Sequence, residues 1–147
     1  MNNKVKLFAR KGDTLTLKLN GAKSKINVGN AAACDGENAN VEKCVVFRML
    51  RYFPPTQSYL VERARYEGGD HVFVSRRTGS ETVMNAILVF SPNAKYLLAF
   101  DPDDTGDREY DIAIWFMQSD PLKLEFTYKA NQYENWEVTA WADDASY

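Results

Sequence analysis

Short runs of alternating apolar and polar residues, separated by turn residues, set the strongest constraint on how this chain can fold. Residues 14–19 are the clearest case: Leu15, Leu17 and Leu19 alternate with Thr14, Thr16 and Lys18, the two-residue period of a half-buried strand. The same pattern opens the chain at residues 4–9, where Val5, Leu7 and Ala9 share one face. Gly12-Asp13 separates these two runs, and Asn20-Gly21, a strong hairpin dipeptide, precedes a third at 24–28. Further strands are expected at 44–53, 58–66, 71–76, 81–90, 95–100, 110–117, 122–128 and 136–141, with turns at Pro54-Pro55, Gly68-Gly69-Asp70, Thr78-Gly79-Ser80 and Ser91-Pro92-Asn93. Outside these runs no stretch of ten residues carries a clear helical period. Many short strands at near-regular spacing predict an all-β antiparallel sheet array, propeller-like, with a β-sandwich as the alternative.

The 147 residues fit a single domain, 1–147, large enough to bury a core. A formal net charge of -2 gives no broad basic field for nucleic acid. The longest apolar run, around Ala86 to Phe90, suits a buried strand and is far short of a membrane span.

Two cysteines bear on compartment. Cys34 and Cys44 bracket a polar, turn-rich segment that can bring them to disulfide distance, which points to an oxidising environment. Met1-Asn2-Asn3-Lys4 does not read as a signal peptide, so either the protein stays in the cytoplasm or a leader has been removed. The cysteine pair favours the second, a periplasmic or secreted location. Two sulfurs and a distant His71 do not make a zinc site.

The chain also repeats itself. Phe53-Pro54-Pro55-Thr56-Gln57-Ser58-Tyr59-Leu60-Val61 lies without gaps on Phe90-Ser91-Pro92-Asn93-Ala94-Lys95-Tyr96-Leu97-Leu98. In each copy a turn-rich stretch follows, then a strand: Val72-Phe73-Val74 in one, Ile112-Ala113-Ile114 in the other. A repeated β-hairpin is expected. Residues 90–100, followed by Asp111-Ile112-Ala113-Ile114-Trp115, resemble the WD40-like repeat of TolB-type periplasmic propeller proteins, with the likeness extending over about 53–116. Asn93-Ala94 stands where that repeat usually has Asp-Gly. The resemblance implies blade-type hairpins. The length allows about three blades at roughly 40 residues each, so an open array is implied and not a closed ring. In size and style the chain is similar to short propeller-like bacterial immunity proteins and secreted inhibitors.

Candidate chemistry is sparse. Asp101, Asp103, Thr105 and Glu109 place oxygen atoms at alternating positions around Gly106, as a calcium loop requires, although Ile112 stands where an EF-hand has its bidentate glutamate. A solvated acidic loop explains the same residues. His71 follows a glycine pair with no nucleophile near it in sequence, and no catalytic motif is present. In the middle third, Arg63 and Arg65 share a strand face and are interleaved with Tyr59 and Tyr66, the composition that supplies hot spots in protein interfaces. The sequence therefore predicts a non-catalytic exported bacterial β-domain that binds a protein partner, of immunity or inhibitor type, and needs no cofactor. A carbohydrate- or calcium-dependent ligand module, drawing on the C-terminal aromatic residues, is the alternative.

Overall fold

A computed structural model describes residues 6–37, 39–101, 109–131, 138, 140 and 141. Its regular structure is eleven antiparallel strands and one short 3-10 turn at Ala31–Ala33 among those residues. The strands form three sheets, none of them closed into a barrel, and the fold is all-β. By its contacts the chain gathers into two compact units divided after Asn85.

The first unit holds two sheets. β1 (Phe8–Lys11), β2 (Thr14–Lys18) and β3 (Ser24–Val28) form the smaller one, in that order. β4 (Val45–Phe53), β5 (Ser58–Arg65), β6 (Gly69–Ser75) and β7 (Glu81–Met84) form a four-stranded meander. The alternation read at Leu15 and Leu17 is the folding rule of this unit. Both side chains point to one face and meet Tyr59, Val61, Val72 and Val74 from the inner face of the larger sheet. These six residues are buried, and Leu7, Phe47, Met49 and Tyr52 pack around them. Two sheets sharing a core in this way form a sandwich-like arrangement.

Cys34 and Cys44 are bonded, with Cα atoms 4.7 Å apart, as their loop predicted. The bond ties the 3-10 turn to the entry of β4, where Asn30 N–H also donates to Val45 O (2.8 Å). Cys44 is buried, so the disulfide also fills the foot of this unit.

The second unit is another four-stranded meander: β8 (Ile87–Phe90), β9 (Tyr96–Phe100), β10 (Ile112–Phe116) and β11 (Lys123–Tyr128). Leu97, Ala99, Ala113, Ile114, Met117 and Leu122 are its buried apolar residues. The run expected as one strand at 81–90 is two strands of different sheets, parted at Asn85. Asn is a poor strand former, and the chain uses it to leave one sheet and enter the next. The strand expected at 136–141 lies largely outside the described residues.

The repeated nonapeptide occupies equivalent places. Each copy joins the first and second strands of a four-stranded meander, and the aligned third-strand segments are β6 and β10. The turns agree in detail. Gln57 N–H donates to Pro54 O (3.2 Å) and Ala94 N–H to Ser91 O (2.8 Å), the same bond at aligned positions. Gln57 and Ala94 both take positive φ, 50° and 55°.

Candidate functional site: a groove beside an open strand edge

The smaller sheet of the first unit lays three strands against four, and β3 is one of its outer strands. Along β3 a groove of about 240 Å³ opens toward solvent. Phe47, Val61, Val72 and Val74 lie along its base, the three valines almost wholly buried, the β3 backbone at Ile26–Val28 forms one wall, and Arg63 and Glu81 supply charge. Ile26 and Val28 pair with Thr16 and Thr14, so their side chains stand on the face of the small sheet opposite Leu15 and Leu17. Ile26 and Val28 are 63% and 68% exposed, high values for branched apolar side chains inside a strand. Val83, paired with Val72 on the last strand of the larger sheet, is exposed as well.

The backbone of β3 follows from its pairing with β2. Leu19 N–H donates to Lys23 O at one end (2.9 Å), and Gly29 N–H donates to Asp13 O at the other (3.0 Å). Hydrogen-bonded pairs alternate along an antiparallel ladder, so Lys25 and Asn27 also bond toward β2. The N–H and C=O groups of Ser24, Ile26 and Val28 therefore point away from β2, along the groove.

Both ends of the groove are fixed by ion pairs. Lys25 reaches Glu81 (2.9 Å) and donates to Gly79 O (2.9 Å), pinning the start of β3 to the larger sheet. Arg63 and Asp70 stand opposite each other on β5 and β6 and join in a bidentate pair, Nε to Oδ1 2.8 Å and Nη2 to Oδ2 2.6 Å. The hydrogen bonds that Arg63 donates to Asp70 raise the guanidinium above its ordinary value, keeping it charged in a partly dry setting. Asp70 escaped the sequence reading because the two glycines looked like the turn itself. The chain reverses earlier, with Arg65 N–H donating to Gly68 O (3.0 Å), and Gly69 is already in the ladder opposite Ala64. A Cβ on Gly69 would lie 2.5 Å from Arg63 O, so glycine there permits the close strand approach that aligns Asp70 with Arg63.

The expected arginine–tyrosine surface is divided by the fold. Tyr59 is fully buried, which removes it from any surface: its face of β5 is the inner one. Its hydroxyl lies 2.5 Å from Lys18 O and 3.1 Å from Leu7 O, tying β5 to the facing sheet. Burial raises the Tyr59 pKa above the ordinary value of 10.0, with nearby Arg76 pulling the other way. Arg63 lines the groove. Arg65 lies opposite Val45 at the same end as the Asn30–Val45 bridge, and it is exposed, as is Tyr66. Among the described residues Arg65 makes no ion pair.

Of the proposed calcium loop, Asp103 and Thr105 lie outside the described residues. Asp101 N–H donates to Asp111 O (3.1 Å), and Glu109 is exposed. Among the described residues no three His, Cys, Asp or Glu side chains gather in a metal-holding cluster. His71 stands across from Glu62 and lines a smaller pocket of about 170 Å³ with Gly68 and Gly69. Its Nδ1 is buried without a hydrogen-bond partner among the described residues.

Ile26 and Val28 were not singled out from the sequence. Their alternation marks a strand, but nothing local says that the strand ends a sheet. Comparison with known proteins finds no family model, curated protein or solved structure that matches the chain.

Proposed function

We propose that this chain is a non-catalytic, exported bacterial β-domain that binds a protein partner, in the manner of an immunity or inhibitor protein, and that the groove beside β3 is where it binds. One observation carries the reading: β3 ends its sheet with an edge that has no strand partner along Ser24–Val28 among the described residues, and its Ile26 and Val28 side chains stand exposed beside that edge. Exposed apolar groups gathered beside charged rims mark interaction sites. The disulfide supports export, since such bonds persist in oxidising compartments. No helix among the described residues is long and apolar enough to cross a membrane. The two four-stranded meanders opened by one shared turn support a propeller-type reading of the fold, with each meander as one blade-like unit.

The test places a photo-crosslinking residue at Val28 or, as a control, at Leu50, an exposed apolar residue of β4. In the extracytoplasmic fraction of the source cells, Val28 is expected to give one reproducible crosslinked protein, and Leu50 none. Equal labelling from both positions, or none from Val28, contradicts the reading.

A further inference from the structure

We propose that the outer face of the smaller sheet docks an acidic protein surface, with Ile26 and Val28 against its apolar centre and Lys11 and Lys18 against carboxylates around that centre. This rests on the reading that a protein partner binds beside β3, and it names the chemistry of that partner.

Strand register defines the face. Lys11 pairs with Thr14 and Thr14 with Val28, Thr16 pairs with Ile26, and Lys18 with Ser24. Residues directly opposite each other in a ladder project to the same side, here the side away from the core residues Leu15 and Leu17. The remaining cations of the three strands turn inward: Lys25 is bound to Glu81, and Arg10 donates to Phe47 O. On the outer side Lys11 and Lys18 are exposed, as are Ile26 at 63% and Val28 at 68%. Two apolar side chains flanked by cations form a small centre with a charged rim.

The net charge of -2 conceals a segregation. Residues 6–28 hold six of the eighteen Lys and Arg but only one of the twenty Asp and Glu. That one acid, Asp13, is held by the backbone, its Oδ2 accepting from Ala31 N–H (3.0 Å). Lys6, Lys11, Lys18 and Lys23 are exposed and make no ion pair among the described residues. The smaller sheet is therefore a local positive field on an acidic chain, and complementary charge is what it selects.

The same residues decide among anionic occupants. The outer face carries no arginine or aromatic ring on which a base could stack, and the acidic remainder of the chain repels a long polyanion. A membrane surface is met by large apolar groups reaching about 5–10 Å into the headgroup boundary, whereas Ile26 and Val28 are shorter than the lysines around them. A folded protein surface with carboxylates about an apolar spot satisfies both parts of the face.

The probes are a blocked amphipathic helical peptide with a leucine stripe flanked by glutamates, the same peptide with lysine for glutamate, a short DNA duplex, and phosphatidylglycerol vesicles. Methyl signals of Ile26 and Val28 are followed by NMR in the intact protein. The glutamate peptide is expected to shift both and to bind at least about tenfold more tightly than its lysine counterpart, since each exposed ion pair contributes up to about fivefold. Added salt should weaken it. Lys11→Glu with Lys18→Glu, both surface changes, should weaken it by about tenfold or more. Val28→Thr keeps the branched strand residue and should weaken it about threefold by removing one methyl from the contact. No binding of the glutamate peptide, equal binding of both peptides, or an unchanged affinity in the double lysine variant overturns the proposal. Tighter binding of the duplex or the vesicles overturns it in favour of those classes, and methyl shifts that change on dilution of the protein alone overturn it in favour of self-association. If the Val28 crosslink to a partner persists in any of these cases, the partner reading stands and only its acidic chemistry falls. If the crosslink is also absent, the site itself is rejected.

Discussion

Tyr59 and Tyr96 hold the same place in the two copies of the repeated hairpin, yet the fold uses them differently. Tyr59 is fully buried between two sheets, its hydroxyl on backbone carbonyls of the facing sheet. Tyr96 is half-buried, its ring 5.8 Å from Phe116 and stacked at 6.2 Å with Trp141, whose indole N–H donates to Val89 O. The hairpins share a turn but not an environment. β5 and β6 are largely buried by their surroundings, whereas every residue of β11 is exposed. A local sequence code can therefore specify a turn and a strand order, while the layer laid against the sheet decides which side chains become core.

Truncating the two tyrosines gives the largest expected contrast. Tyr59→Ala should cost about 3–5 kcal/mol, the range for deleting a buried aromatic ring, and Tyr96→Ala about 1–2 kcal/mol because only part of its area is buried. Chemical denaturation of both variants checks this, and equal losses would dissolve the distinction.

The disulfide belongs to the first unit alone. Its cysteines are ten residues apart, so the chain-entropy relation assigns it about 2–3 kcal/mol. Replacing both cysteines with alanine should lower stability by that amount and speed amide exchange in β4, while amides of β8–β10 keep their rates.

The strand order within each sheet was largely legible from periodicity and turn dipeptides, because both depend on neighbours in sequence. The disulfide was legible for the same reason. What could not be read was set by distant contacts. Alternation put Tyr59, Arg63 and Arg65 on one face of β5, but it could not say that another sheet would cover the Tyr59 end and leave Arg65 open. It could not show that β3 would end its sheet, so Ile26 and Val28 passed as ordinary strand residues. Asp70 was hidden by a turn that closes at Gly68, which leaves Gly69 and Asp70 in the strand.

The alkaline limb separates the units further. Because burial raises the Tyr59 pKa, the folded state holds its proton more tightly than the unfolded state does. That contribution is complete below the ordinary value of 10.0 and is lost as pH rises through the folded value. Thermal melts from about pH 8 to pH 11 should show a steeper alkaline decline in the native protein than in Tyr59→Phe. The variant should start about 1–2 kcal/mol less stable, since Lys18 O loses the hydroxyl donor while Leu7 O still accepts from Lys18 N–H.

The smallest effect concerns the turn itself. Glycine adopts positive φ without the strain of a Cβ, so Ala94→Gly should gain up to about 0.5 kcal/mol after the entropy of the unfolded chain is counted. Gln57→Gly should gain less or lose, since Gln57 Oε1 also accepts from Asn20 Nδ2 (3.0 Å). Paired melting curves of the two variants compare the turns directly.

The open edge of β3 is the central claim, and residue-resolved amide exchange of the free protein tests it most directly. Lys25 and Asn27, bonded to β2, should exchange slowly, while Ile26 and Val28 between and beside them should exchange at least tenfold faster. Uniform protection across all four amides would mean that the edge is already paired, and would contradict the account.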